Sequence, residues 1–410
     1  MINQFYSASR VLQCLRSGPL GPFMDTLAAL LSEQGYARQT GRLQLRLLGE
    51  LSRWLQRLGL GVEDLDEQRT AEFLAQALLR RGYARRVQAI LGLLLDHLRD
   101  TGILSAPPLE IEDTPLGRVE REFTRYLVEE RGLSQSTVGS YLPPIRSFLG
   151  EHFGTGSLLL NELGLADVTR FVLRYFSSRR ARSCMVAALR SFFRFLLLNG
   201  DITIDLADAV PRVAYWRLSG VPKSLPPEQI EQLLESCDRS RPMGQRDYAL
   251  FLLLARLGLR AGEVVALRLK DLGWRAGEIT IQGKGNRQDR LPMPQDVGEA
   301  LAAYLLHGRP HCSTRRVFVR TRAPYRELAD ASCVCTIFGR ALKRAGLSPA
   351  FKGTHLLRHS LACAMLRRGA SLGEIGEILR HRLPNTTEIY AKVDLEGLRT
   401  LAQPWPGGHL

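Results

Sequence analysis

Between residues 24 and 104, apolar side chains recur at helical spacing. Leu43, Leu47, Leu48, Leu51, Trp54, Leu55 and Leu58 form one stripe, and a second run extends from Val87 to Leu98. Ser105-Ala-Pro-Pro108 breaks the pattern and acidic residues follow to Asp113; paired prolines with a change of charge predict a linker. Residues 115–205 return to helical periodicity, and the order of features repeats. Gly35-Tyr-Ala-Arg-Gln-Thr40 separates two helical runs, as does Gly132-Leu-Ser-Gln-Ser-Thr137, 97 residues later. Each segment closes on an apolar helix and a polar turn, Asp100-Thr-Gly102 in the first and Asn199-Gly-Asp201 in the second. That order predicts a duplicated small helical domain, at 1–105 and again at 112–210.

A second proline-rich stretch, Pro211 to Pro227, reads as a linker to a third domain, 228–410. Pro226-Pro-Glu-Gln229 opens a helix, proline being favoured in a first turn. The pattern then stays helical to about residue 400 with one interruption. Glu278-Ile-Thr-Ile281 alternates as a strand, Gly283-Lys-Gly-Asn286 is a turn, and Arg290-Leu-Pro-Met293 is the return strand of a hairpin. The expected fold class is mainly α: helical domains followed by an α+β domain with a small hairpin.

Charge narrows the partners. Among 410 residues, Lys and Arg number 56 against 41 Asp and Glu, a formal net charge of +15. Such an excess argues for a polyanionic partner, most simply nucleic acid, while charge alone leaves a ribosomal or membrane-surface role equally open. No run of about 18 apolar residues predicts a membrane span. Met1 to Arg16 lacks the basic and apolar regions of a secretory signal. The seven cysteines are scattered. Cys333 and Cys335 form a CxC pair without a second cluster, a poor metal site, so reduced thiols in a cytoplasmic protein are expected, with no metal.

Candidate chemistry collects in the last third. Arg260 lies in Leu257-Gly-Leu-Arg-Ala-Gly-Glu263, between a helix from Tyr248 to Leu257 and another starting near Gly262. An arginine at a helix junction can present its planar fork to a phosphate, and Glu263 can orient it. Lys284 sits at the hairpin tip between two glycines. His355 and Arg358, spaced i, i+3, share a helical face suited to an anion, with Thr354 as a possible cap; His359 is expected to face elsewhere. His381 closes a helix from Ser371 to Arg380, and Tyr390 follows nine residues later. Taken singly, each is ordinary: a surface ion pair, an exposed turn lysine, a core tyrosine.

Their order and intervals are not ordinary. The sequence resembles the tyrosine recombinases of the phage integrase family over residues 224–395, and more loosely over 115–205. Arg260 with its acidic companion Glu263, Lys284, the His355/Arg358 box with the following His359-Ser360, His381 and Tyr390 fall on that family's motifs. Two departures stand out. The family usually has glycine before the late histidine, where this chain has Arg380, and the N-terminal helical segment is extra.

The residue types suit phosphodiester exchange without a metal or nucleotide cofactor. Tyr390 can attack phosphorus, leaving a 3′-phosphotyrosyl intermediate that conserves bond energy for rejoining. Arg260 and Arg358 can hold the non-bridging oxygens, Lys284 can protonate the 5′ leaving oxygen, and His355 can assist proton transfer. His381 would bind the phosphate or position Tyr390. The resemblance further implies double-stranded DNA held in a C-shaped clamp. It also implies synapsis by four protomers, identical or with related recombinases, that exchange a C-terminal segment. The repeated helical segment suggests a mobile element. A type IB-like topoisomerase and a non-catalytic DNA-binding accessory protein of a transposon are the competing expectations.

Overall fold

The computed structural model describes residues 2–78, 84–105, 114–154, 157–174, 179–211, 221–283, 288–394 and 398–399. Two compact units divide the chain: Met1–Leu104 with Leu218–Leu410, and Ser105–Arg217.

Residues 2–104 have a core of their own, built on α1 (Ser9–Leu15), α2 (Met24–Glu33), α3 (Arg38–Leu58), α4 (Glu67–Leu78) and α5 (Ala84–Asp100). The stripe on α3 buries Leu48, Leu51, Trp54 and Leu55, joined by Leu45. Leu43 and Leu58, read as part of the same stripe, are 57% and 52% exposed. They mark the edges of a face wide enough for a globular helix but not for a buried one. From α5, Ile90, Leu91, Leu94, Leu95 and Leu98 enter the same core. This segment also touches the C-terminal part of its unit: Tyr325 N–H donates to the Gln34 carbonyl (3.1 Å), and the Tyr325 ring fills the space where a Cβ on Gly35 would stand.

The described helices of the second unit are α6 (Pro115–Arg125, continued by a π turn at Tyr126–Glu130), α7 (Gln135–Phe153), α8 (Leu165–Arg174) and α9 (Arg179–Asn199). Thr114 and Ser134 cap α6 and α7 by accepting the Gly117 and Thr137 amides. Its core is aromatic. Phe148 meets Phe171 and Phe193 edge-on at 5.2 and 5.4 Å, an arrangement worth roughly 0.5–1.5 kcal/mol per pair beyond area burial. Of the expected linkers, residues 106–113 and 212–220 lie outside the described residues.

From residue 221 the chain forms α10 (Pro227–Glu235), α11 (Pro242–Arg256) and α12 (Ala261–Ala266), then a three-stranded antiparallel sheet, β1 (Leu272–Gly273), β2 (Glu278–Gln282) and β3 (Gln288–Pro292). After it come α13 (Gln295–Ala303), α14 (Ala331–Arg344), α15 (His355–Arg367) and α16 (Leu372–Ile378). The register pairs Ile279 with Leu291 and Gln282 with Gln288. The return strand thus starts two residues earlier than Arg290 and ends at Pro292. The short β1 was not expected, since two residues carry no alternation. Ala249 to Leu254 are all essentially inaccessible, so α11 is a central helix buried on every side. Its second turn is tied to α14 through Asp247, whose carboxylate takes Arg246 at 2.7 Å and Arg344 at 3.3 Å.

Candidate active site

Three helix ends meet at the expected site, and each presents an arginine. The first is the start of α12. Glu263, buried in the first turn, accepts the Arg260 backbone amide on Oε2 (2.8 Å) and the Arg260 Nη1 on Oε1 (2.7 Å). One carboxylate therefore caps the helix and fixes the arginine. Burial alone would raise the Glu263 pKa, but the Arg260 amide and the Arg380 and Arg260 guanidiniums outweigh it and hold the carboxyl below its ordinary range. Arg260 remains 40% exposed at its side chain, so its outer donors are open to a ligand.

The second is Arg358, in the first turn of α15 and only 4% exposed. Nη1 donates to the Gly258 carbonyl and Nη2 to the Leu379 carbonyl, joining the end of α11 to the end of α16. Gly258 has φ +58°, and a Cβ there would stand 2.7 Å from Leu379 Cδ2, so glycine is required where Arg358 takes its carbonyl. Burial lowers the Arg358 pKa to about 10, with repulsion from Arg260 and Arg380 adding to it. At neutral pH the group stays cationic. A guanidinium has five N–H donors; two bonds orient it and the others remain for an anion.

The third helix end holds Arg380. The expected helix from Ser371 to Arg380 is shorter. Ser371 is its N-cap, with Glu374 completing a capping box, and α16 ends at Ile378. The His381 amide then bonds the Gly376 carbonyl and the Arg380 amide the Glu377 carbonyl, which places Arg380 at the left-handed position of a Schellman turn, φ +54°. That conformation favours glycine and costs other residues about 1–2 kcal/mol. The Arg380 side chain is nevertheless 8% exposed, with Nη2 on Glu263 Oε2 at 2.8 Å.

Tyr390 lies in a 3-10 segment, Glu388–Val393, with its ring packed beside Ala362, Cys363, Ile375 and Leu379. Its hydroxyl is 2.8 Å from His359 Nδ1. Burial pushes its pKa up to about 12, opposed by the Arg358 charge. The His381 ring is parallel to it, centroids 6.5 Å apart, and its Nδ1 is 2.8 Å from the buried Thr387 hydroxyl. Burial, then Arg358 and Arg260, lower the His381 pKa to about 4, so the ring is neutral at pH 7. His359 is lowered too, by burial first and by His355 and Arg358 after it.

Arg260, Glu263, Arg358, His381 and Tyr390 thus share one site. His355 is at its exposed rim, with its ring centroid 6.4 Å from that of His359. Lys284 lies outside the described residues. Two expectations are corrected. His359, expected to face elsewhere, is the histidine at the tyrosine, because the 3-10 segment folds back over this side of α15. Thr354 does not cap α15 through its side chain; it has helical backbone angles and its hydroxyl lies 3.7 Å from Cys335 Sγ. Arg380 and Thr387 were not among the expected site residues. Only the replacement of a glycine before His381 pointed to the first. All seven cysteines are free, and among the described residues no three His, Cys, Asp or Glu gather as a metal site. No helix among them is long and apolar enough to cross a membrane.

Residues 223–396 match the family described as Phage integrase family, and residues 121–200 match the one described as Phage integrase, N-terminal SAM-like domain. Protein y4rA of Sinorhizobium fredii, named as an integrase/recombinase, is 43% identical over 408 residues, covering 98% of each chain. Tyrosine recombinase XerD of Listeria monocytogenes is 31% identical over 290 residues, 66% of this chain and 93% of that one. Among solved structures, the XerH site-specific recombinase bound to its difH substrate superposes with a TM-score of 0.54 at 21% identity, over 69% of this chain and 83% of that one. A lambda integrase dimer on a core site gives 0.51 at 19% identity, over 72% and 98%. These two share the fold. With a relative of 43% identity along nearly its whole length, the chain belongs to the phage integrase family of tyrosine recombinases.

Proposed function

We propose that Tyr390 is the nucleophile with which this protein breaks and rejoins DNA at specific sites, as a recombinase acting in the cytoplasm for a mobile element. The observation that carries the reading is the Tyr390 hydroxyl, 2.8 Å from His359 and coupled to the buried cation of Arg358. Membership of the family makes the chain a DNA-binding enzyme of site-specific recombination.

The steps follow from the groups present. Tyr390 Oη attacks the scissile phosphorus, forming a Tyr–O–P bond as the P–O5′ bond breaks. The phenolic proton passes toward His359 Nδ1, in the neutral tautomer whose proton is on Nε2; burial favours the neutral ring. Arg260 and Arg358 take the non-bridging oxygens as charge builds on them. His381, neutral, can donate a hydrogen bond to the same phosphate while Thr387 fixes its ring. The 5′ oxygen leaves with a proton from Lys284. A 5′ hydroxyl freed on the partner duplex then attacks the phosphotyrosine, forming a new P–O5′ bond and releasing the Tyr390 hydroxyl, so no cofactor is consumed. Synapsis by four protomers, identical or mixed with related recombinases, completes the exchange.

The test is covalent capture. The full chain is incubated with nicked duplexes of randomised sequence, and DNA that stays protein-linked in detergent is sequenced. Adducts at one recurring site support recombination. Adducts at scattered sites, with relaxation of any supercoiled plasmid, support a topoisomerase, and no adduct removes the catalytic reading.

Two predictions concern proton transfer. Because the unprotonated His359 accepts the phenolic proton and its pKa is lowered, cleavage should be level through neutral pH and fall on acidification, with a midpoint below the ordinary imidazole value. His359→Gln should abolish that acid limb and slow single-turnover cleavage by about 10²–10⁴-fold; an unchanged limb would assign it elsewhere. Lys284→Ala should cleave ordinary DNA on the order of a hundredfold more slowly. It should act almost normally on a 5′-bridging phosphorothiolate, whose thiolate leaves without a proton. Equal slowing on both substrates would remove Lys284 as the acid.

A further inference from the structure

Arg380 stands at a backbone position that favours glycine, yet its guanidinium is directed into the phosphate-binding cluster. We propose that Arg380 is a positioning residue for strand cleavage: it shares Glu263 with Arg260, so that less of the carboxylate's charge offsets Arg260 at the scissile phosphate. The inference rests on the recombinase reading above and adds a residue to it.

Glu263 has two oxygens and a negative charge for two guanidiniums. Oε1 faces Arg260 Nη1 at 2.7 Å; Oε2 takes the Arg260 amide and Arg380 Nη2, each at 2.8 Å. The carboxylate side chain is 6% exposed, so water screens this competition little. With glycine at 380, the whole charge of Glu263 would fall to Arg260, the nearer partner of a pair only 2.7 Å apart. Arg380 also faces Asp289 on β3, Nε to Oδ2 3.9 Å, and this buried Nε has no hydrogen-bond partner among the described residues. Arg380 thus stands between two carboxylates, Glu263 and Asp289, and its removal lowers the positive charge around the phosphate by one. A phosphodiester gains negative charge as the tyrosine oxygen adds, so the benefit grows toward the transition state instead of being spent on binding. Strain at φ +54° persists where surrounding contacts over-determine it, as the bond to Glu263 does here.

The backbone makes the substitution readable. Glycine and asparagine both accept the left-handed conformation, so Arg380→Gly and Arg380→Asn should melt within a few degrees of the wild type. On a duplex recovered by covalent capture, both should cleave on the order of a hundredfold more slowly at saturating protein, with site affinity changed less than about threefold on the same argument. Arg380→Lys, keeping the charge, should recover most of the rate. In a Glu263→Gln background, where no carboxylate competes for Arg260, adding Arg380→Gly should cost little further. Wild-type cleavage by Arg380→Gly or Arg380→Asn overturns the proposal. So does an equal loss in both backgrounds, or a rate loss wholly explained by weaker binding. Should the glycine variant melt far lower, the asparagine and lysine variants decide by the same rates. If the wild type itself forms no adduct, the recombinase reading has failed first, and that is seen before any variant is compared.

Discussion

Tyr390→Phe should bind DNA as the wild type does and form no covalent adduct. The substitution removes a single hydroxyl from a ring that is 1% exposed and packed among Ala362, Cys363, Ile375 and Leu379. The ring and its parallel approach to His381 stay. What is lost is the hydrogen bond with His359, worth about 0.5–1.5 kcal/mol in a folded protein, so thermal melting should shift by a few degrees at most. The chemical loss should be total to the limit of detection, because water attacking in place of the tyrosine leaves no protein-linked product. Retention of detergent-stable DNA by the phenylalanine chain would move the nucleophile to another residue. Loss of binding together with cleavage would mean that the hydroxyl holds the site together and that its chemistry is untested by this change; capture by a Tyr390→Cys chain, whose thiol retains a nucleophile in the same pocket, then separates the two.

Much of this site could be read from the sequence, because its members are chemically distinctive and stand at fixed intervals along helices. Arg260 and Glu263 are three residues apart on the first turn of α12, where a carboxylate both caps and pairs. The hairpin announced itself by alternation in Glu278–Ile281 and by a glycine-bounded turn. The failures have a common physical origin. Which side of α15 receives Tyr390 depends on how a 3-10 segment folds back after Pro384, and periodicity along α15 carries no information about that. His355 and His359 are four residues apart on the same helix; only tertiary packing makes one exposed and the other the tyrosine's partner. Arg380 was visible as an anomaly, a large cation in place of glycine. Its meaning required the left-handed backbone and a contact spanning 117 residues of chain. The two-residue β1 and the inside edge of the α3 stripe likewise depend on neighbours and not on local pattern.

Arg358 should prove the residue whose loss damages both chemistry and fold. Its fork joins the Gly258 and Leu379 carbonyls in a position only 4% exposed, so truncation to alanine strands two buried acceptors and opens a cavity at the junction of α11, α15 and α16. A buried unsatisfied group costs about 1–3 kcal/mol. Removing the desolvated charge returns part of that, since burial and the neighbouring Arg260 and Arg380 already disfavour this cation. The net expectation is a loss of about 2–4 kcal/mol in denaturant unfolding, with no detectable cleavage. Arg358→Lys separates the two effects. A lysine retains the charge and can reach one carbonyl but not two at the angle of a planar fork. It should restore most of the stability while leaving cleavage at least on the order of a hundredfold down, because the remaining donors that face the phosphate are those of the guanidinium plane. If the lysine chain cleaves normally, a point charge suffices at this position and the bidentate hold on the phosphate is wrong. If the alanine chain is as stable as the wild type, the two carbonyls have found other donors and Arg358 is free of the structural duty that its burial implies.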